Sequence, residues 1–130
     1  MNADKDFALD WLKKAENDMR SAQLILAAED GPLDTVCFHA QQVVEKSLKG
    51  MLTLHSRPFP RVHVLHLLLD LLTDIYPDLE QFREQFVILS TYAVEARYPG
   101  DYFEPERQEA EDAVAIAERV LILAKKQIAN

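Results

Sequence analysis

Apolar residues recur at three- and four-residue steps along most of the chain, which is the period of a helix with one buried face. In the first segment the stripe contains Trp11, Ala15, Met19 and Ala22. This spacing predicts a long amphipathic helix over residues 4–28.

The boundary of the next helix is marked by residues that break or cap helices. Gly31 and Pro32 follow the first apolar stripe, and Asp34 then stands where an N-cap side chain is expected. The apolar positions beyond them predict a second helix over residues 35–54.

Three more apolar segments complete the pattern. A very apolar stretch over residues 62–75 predicts a shorter third helix, because the prolines just before it deny helical geometry to their predecessors. Pro77 opens a fourth helix, which is expected to run until the Arg97-Tyr98-Pro99-Gly100 stop. Pro105 suits the first turn of the last helix.

The elements together predict the fold class. Strand-type alternation is missing, and short loops join the helices, so the chain is expected to form an all-α, antiparallel up-down bundle of five helices, four long and one shorter. The 48% hydrophobic and 28% charged residues are typical of a folded protein rather than a disordered one. A length of 130 residues predicts one domain over residues 1–130.

The net charge and the cysteine content limit which partners and which cellular compartment are expected. The net charge of −8 disfavours non-specific DNA binding, so contact with a nucleotide needs a local basic cluster. Cys37 is the only cysteine, which excludes an internal disulfide, and its simplest role is that of a small buried hydrophobe. With no apolar span of about 20 residues and no signal peptide pattern, we expect a cytoplasmic protein without membrane contact.

Several enzyme and cofactor classes lack their motifs in this chain. A P-loop, a dinucleotide fingerprint, a nucleophile elbow and a zincin pair of histidines are all missing, and we expect no cofactor. His63, His66 and Asp70 share one helical face and are weak candidates for a metal site. The simpler interpretation is the polar edge of an apolar helix.

A row of polar residues on the second helix is the main candidate for ligand binding. His39, Gln42, Lys46 and Lys49 share one side of this helix, and Glu45 is placed to pair with Lys49 one turn on. Two ammonium groups and an imidazole can hold a phosphate. The alternative is an ordinary solvated helix face.

A second candidate lies where the fourth helix is predicted to end. Arg97 there favourably meets the partial negative charge of a helix C-terminus, and Pro99 forces Tyr98 into an extended conformation. Capping is one interpretation of Arg97. The other is that the rigid turn presents the guanidinium and the phenol to a phosphate or a base.

The segment from Cys37 to Gly50, CFHAQQVVEKSLKG, resembles the second-helix signature of HEPN domains, a family associated with nucleotides. The resemblance spans almost the whole chain. It continues through Trp11, Ala15, Asp18, Pro60, His63, Leu65 and the run Ala96-Arg97-Tyr98-Pro99-Gly100.

The resemblance implies properties that spacing alone does not supply. These are a five-helix HEPN bundle, homodimers, pairing with a minimal nucleotidyltransferase, and a role in toxin–antitoxin or defence systems. Relatives are proposed to bind nucleotides. The residues that match their polar signature are His39, Gln42, Lys46, Lys49, His63, Arg97 and Tyr98.

One feature of the family's ribonucleases is missing after Arg97. They carry an Arg followed, after four to six residues, by a His that serves metal-independent RNA cleavage, but no histidine follows His66 in this chain. Arg57 and His63 have the bare spacing, with five residues between them, but they lie in a different segment that contains two prolines. We therefore expect a non-catalytic module that binds nucleotide or a nucleotidyltransferase partner, with no catalytic residues. The alternatives are a ribonuclease toxin using Arg97 with Tyr98 or Tyr102, and a purely structural dimerisation module.

Overall fold

The computed structural model of the chain describes residues 2–93 and 104–130. Within these residues every regular element is helical, so the predicted all-α class is confirmed. The elements are α1 (Ala3–Ala27), α2 (Leu33–Leu54), α3 (Leu65–Asp70), a 3-10 helix (Pro77–Phe82), α4 (Arg83–Ser90) and α5 (Arg107–Ile128).

The helices α1 and α2 pack side by side in opposite directions. Asp18, two thirds of the way along α1, contacts Lys46 in α2. Asp4, at the start of α1, accepts a hydrogen bond from Ser56, just beyond the end of α2. The short connection between the two helices therefore makes them antiparallel neighbours, as its length predicts.

The last helix, α5, also runs antiparallel to α1. At its start, Arg107 donates to the carbonyl oxygen of Leu26 across 2.5 Å. At the other end, Lys5 donates to the carbonyl oxygen of Asn130 across 3.5 Å. Consequently α2 and α5 point the same way, and the segment containing α3 and α4 returns the chain between them.

The helix α2 is the centre of the bundle. Its buried side chains include not only an apolar set but also four polar ones, Gln41, Glu45, Ser47 and Lys49. Buried polar groups are stabilised when they find partners within the protein. Gln41, Glu45 and Lys49 do so in the network described below, whereas the Ser47 hydroxyl has no hydrogen-bond partner among the described residues.

A glycine lets α2 approach its neighbours closely. A Cβ atom at Gly50 would lie 3.0 Å from Ile128 Cδ1 in α5 and 3.2 Å from Trp11 Cβ in α1. Even a methyl group would therefore meet both helices. Gly50 is buried at the point where the three long helices come together.

The third and fourth helices are shorter than predicted. The expected helix over residues 62–75 is α-helical only in α3, because the amide groups of Leu72 and Ile75 bond three residues back in turns. The fourth begins as a 3-10 helix, and α4 ends at Ser90, whose hydroxyl bonds both Phe86 and the amide of Leu65. Such side-chain bonds compete with the helical ladder.

The predicted cap at Asp34 is also wrong in detail. The helix α2 begins one residue earlier, at Leu33, so Asp34 lies in its first turn and accepts from the amide of Thr35. The side-chain cap occurs instead at α1, where Asn2 accepts from the amides of Asp4 and Lys5.

Candidate functional site

The first part of the candidate site joins α1 to α2 through one carboxylate. Asp18 Oδ1 lies 2.8 Å from Nδ1 of His39, and Asp18 Oδ2 accepts from Lys46 Nζ across 2.5 Å. Asp18 is only 9% exposed. An ionised carboxylate only accepts hydrogen bonds, so His39 donates from Nδ1 and its Nε2 is the acceptor in the neutral ring.

The second part is built around Glu45, which is 4% exposed. Its Oε1 accepts from Gln41 across 3.1 Å and lies 2.8 Å from His63 Nδ1, and its Oε2 accepts from Lys49 across 3.1 Å. Burial alone would raise the pKa of this carboxyl, but the hydrogen bonds from Gln41, His63 and Lys49 outweigh it, and the pKa lies below its usual range.

Lys49 is held by two aromatic rings as well as by Glu45. Its Nζ lies 5.8 Å from the ring centre of Trp11 and 5.9 Å from that of Phe59. The two rings also meet edge to face, with 6.4 Å between their centres. The ammonium group is thus enclosed between rings and a carboxylate, and the residue is 7% exposed.

Gln42 lies next to both parts on α2. Its Nε2 donates to Gln41 Oε1 across 2.6 Å, while Gln41 Nε2 donates to the backbone carbonyl oxygen of His63 across 3.0 Å. We call the whole set the polar network. It comprises Asp18, His39, Gln41, Gln42, Glu45, Lys46, Lys49 and His63.

The structure brings together five of the seven predicted binding residues, namely His39, Gln42, Lys46, Lys49 and His63, in this network. The other two, Arg97 and Tyr98, lie outside the described residues. The expected pairing of Glu45 with Lys49 is confirmed. We call the predicted row of His39, Gln42, Lys46 and Lys49 the basic row. It is not an open solvated face, since each of its lysines is already bonded to a carboxylate.

The sequence pattern did not identify Asp18 and Gln41 as members of the candidate site. Asp18 did leave a signal, because it stands on the apolar stripe of α1 between Ala15 and Ala22, where an ionised side chain needs a partner. Gln41 is harder to recognise from the sequence, because glutamine is also common on exposed helix faces. Its partner, the backbone of His63, belongs to a different segment.

The network offers hydrogen-bonding and proton-transfer groups rather than free cations. Both imidazoles are oriented through Nδ1 by a carboxylate, and the side chain of His63 is 66% exposed. A carboxylate in this position fixes the tautomer and the ring orientation. Each lysine charge is balanced locally by one carboxylate charge.

A family model shows to which group of proteins the chain belongs. Residues 8–127 match the model described as HEPN domain, which covers most of the chain. The chain belongs to the HEPN family. Six of the eight residues of the polar network therefore lie on the second helix of a HEPN domain, in the segment whose sequence carries the resemblance.

Known proteins resemble this HEPN domain over most of their length. The Methanocaldococcus jannaschii protein named "Putative toxin MJ1304" is 29% identical over 137 residues, which covers 88% of this chain and 84% of that protein. The crystal structure of TT1696 from Thermus thermophilus is 31% identical with a TM-score of 0.72, and the match covers 92% of this chain and 96% of that one. ST0689, an archaeal HEPN homologue, is 29% identical with a TM-score of 0.70, covering 93% and 97%.

The alternative metal site is not assembled in this HEPN domain. His63 bonds Glu45, whereas Asp70 forms an ion pair with Arg83 across 2.8 Å. His66 Nδ1 is buried and has no hydrogen-bond partner. Over the described ranges, no three His, Cys, Asp or Glu side chains are grouped to hold a metal ion.

None of the described helices of this HEPN domain combines the length and the apolar composition that crossing a bilayer requires.

Cys37 of this HEPN domain is expected to resist thiol reagents. The thiol is fully buried, and its pKa is raised to about 12, chiefly by burial and then by the nearby Glu109 carboxylate. Since the thiolate is the reactive form, the native protein should not react with Ellman's reagent at about pH 8, whereas the denatured chain should release one thiol equivalent. Fast reaction of the native protein would show that Cys37 is accessible.

Proposed function

We propose that this chain is a non-catalytic HEPN module of a toxin–antitoxin-type pair and acts by binding a protein partner. The name of the Methanocaldococcus jannaschii relative supports the biological setting. The missing histidine after Arg97 supports the non-catalytic role, because His is the usual proton carrier near neutral pH.

The observation that carries the proposal is the pairing of both lysines in the basic row. Lys46 is bonded to Asp18 and Lys49 to Glu45, so a phosphate at either ammonium would lie beside a carboxylate that already balances the lysine charge. Repulsion between the phosphate and that carboxylate would lower the affinity for a small anion. Protein association does not require such a contact.

Nucleotide contact forms the smaller part of the proposal. Within the network the side chain most open to a ligand is that of His63, with Gln42 and His39 partly exposed beside it. These groups offer hydrogen bonds. Arg97 and Tyr98, which lie outside the described residues, stay candidates from the sequence, with a guanidinium and a phenol. A nucleotide bound here would be recognised mainly through polar contacts.

The partner we propose is a minimal nucleotidyltransferase, as the family resemblance implies, with the chain itself acting as a homodimer. Because the chain is strongly acidic, with a net charge of −8, a basic surface on that partner would favour encounter. The cellular compartment that we propose is the cytoplasm.

The proposal predicts that the chain alone does not cleave RNA. Purified protein mixed with total RNA at neutral pH should leave the RNA intact, and expression without a partner should not arrest growth of a bacterial host. Arg97→Ala should change neither result. Correct folding of the protein is checked by its far-ultraviolet circular dichroism.

A metal-independent ribonuclease toxin is the second candidate, and the name of the same relative favours it. Under this alternative, RNA cleavage and growth arrest would both occur, would persist in a chelator, and would be lost in Arg97→Ala. That set of results would contradict the non-catalytic module.

A further inference from the structure

An apolar cavity between α4 and α5 lies away from the polar network. Its volume is about 240 Å³, and its apolar lining comes from Ile88, Leu89, Ala113 and Ile116. Cavities that enclose drug-sized ligands are usually larger, about 300–1,000 Å³. The size suits one or two side chains of a protein rather than a whole cofactor or nucleotide.

The last turn of α4 is apolar on its outer side as well as on its core side. Phe86 and Leu89 are buried, yet the neighbouring Val87 and Ile88 are 49% and 58% exposed. Ile88 also lines the cavity. An exposed branched side chain therefore stands beside an indentation, and this combination is typical of a protein-binding site.

The polar groups at the cavity determine which partner would fit. Glu109 and Asp112 line it, and among the described residues its lining contains no basic side chain. Glu109 accepts a hydrogen bond from the hydroxyl of Tyr92, and Asp112 accepts one from the side-chain amide of Gln108. Within residues 2–93 and 104–130, no cationic side chain pairs with either carboxylate. An acidic partner would be repelled here and a basic one attracted.

We propose that the α4–α5 cavity receives an apolar side chain of a partner protein that is flanked by Lys or Arg. The apolar side chain would fill the cavity against Leu89 and Ile116, and the flanking cation would pair with Asp112 at the rim. This inference rests on the proposed function as a partner-binding module, for which it names the contact surface and the chemistry of the partner.

The test uses two synthetic helical peptides with the same central leucine, one flanked by lysines and the other by glutamates. The methyl groups of the six isoleucines in the full-length chain are labelled and followed by NMR. The lysine peptide should shift Ile88 and Ile116 in a saturable way and leave the buried Ile128 unchanged. Its affinity should exceed that of the glutamate peptide by about tenfold, the size expected for one favourable charge contact.

The variants separate the cavity from general stickiness. Ile88→Asp should abolish binding, whereas Ile122→Asp should not, although the two isoleucines are equally exposed at 58% and 57%. Asp112→Lys should remove the preference for the lysine peptide. Both substituted isoleucines are on the surface, so circular dichroism should show unchanged folding.

Three results with the peptides would overturn the inference: equal binding of both peptides, shifts confined to other isoleucines, and no shift at millimolar peptide. A second copy of the chain as occupant would appear without peptide, as concentration-dependent shifts at Ile88 that Ile88→Asp removes, and this too would overturn it. RNA cleavage by the chain would contradict the proposed function while leaving this peptide result standing.

Discussion

Replacing Glu45 with alanine is expected to lower the free energy of unfolding by about 3–5 kcal/mol, the loss typical when one partner of a buried ion pair is removed. The reason is the state of Lys49, which is 7% exposed and would keep its charge without the carboxylate that balances it. Urea unfolding followed by circular dichroism measures the change.

Two controls separate the buried charge from general helix effects. Glu80→Ala removes a carboxylate that is also paired with an arginine, Arg83, but at an exposed site, and its effect should be far smaller. The double variant Glu45→Leu with Lys49→Met should lose less stability than the sum of the two single changes, because neither charge then remains. Strict additivity would contradict the argument.

The same pair predicts how stability depends on pH. The pKa of Glu45 is lower in the folded chain than its ordinary value of 4.5, so its contribution is fully present above about pH 4.5. The contribution is lost as the pH falls through the lower folded pKa. The stability difference between the native chain and Glu45→Gln should therefore be constant near neutrality and shrink below about pH 4.5.

Replacing Gly50 with leucine is expected to destabilise the bundle by about 3 kcal/mol, at the upper end of the usual cost of overpacking a core. The Cβ atom alone would lie 3.0 Å from Ile128 Cδ1 and 3.2 Å from Trp11 Cβ, and the rest of the side chain would have to separate helices. Thermal unfolding measures the loss.

Gly50→Ala is the matched control for this prediction. Alanine gains about 1 kcal/mol of helix propensity over glycine, which offsets part of the crowding of its methyl group. Adding Ile128→Val removes the Cδ1 atom that the methyl group meets, so the double variant should be more stable than the sum of the single effects implies. A leucine variant as stable as the native chain would contradict the close helix contact.

The helical periodicity predicted the three long helices well. The stripe of Ala15, Met19 and Ala22 is buried in α1, and the boundaries of α1 and α2 differ from prediction by only one or two residues. The prediction was poorer for the fourth helix. Its stripe has helical spacing, but the Ser90 hydroxyl bonds the backbone of α3, and this contact is not visible in a local pattern.

The candidate site was predicted as a set of residues but not as a set of interactions. Spacing placed His39, Gln42 and Lys46 together on α2, and the pairing of Glu45 with Lys49 follows from their four-residue separation. The bond from Lys46 to Asp18 spans 28 positions along the chain. Residue types alone allowed Lys46 to be either a free cation or a paired one.

The family and the helical class thus follow from the printed sequence, because helical periodicity and a local signature such as residues 37–50 are properties of neighbouring positions. Which charged side chains are free to bind a ligand depends on the tertiary structure alone. Packing α1 against α2 encloses Asp18 and Glu45, and a buried carboxylate takes the nearest donors to offset its lost hydration. Those donors are the same lysines that the sequence offered for a ligand.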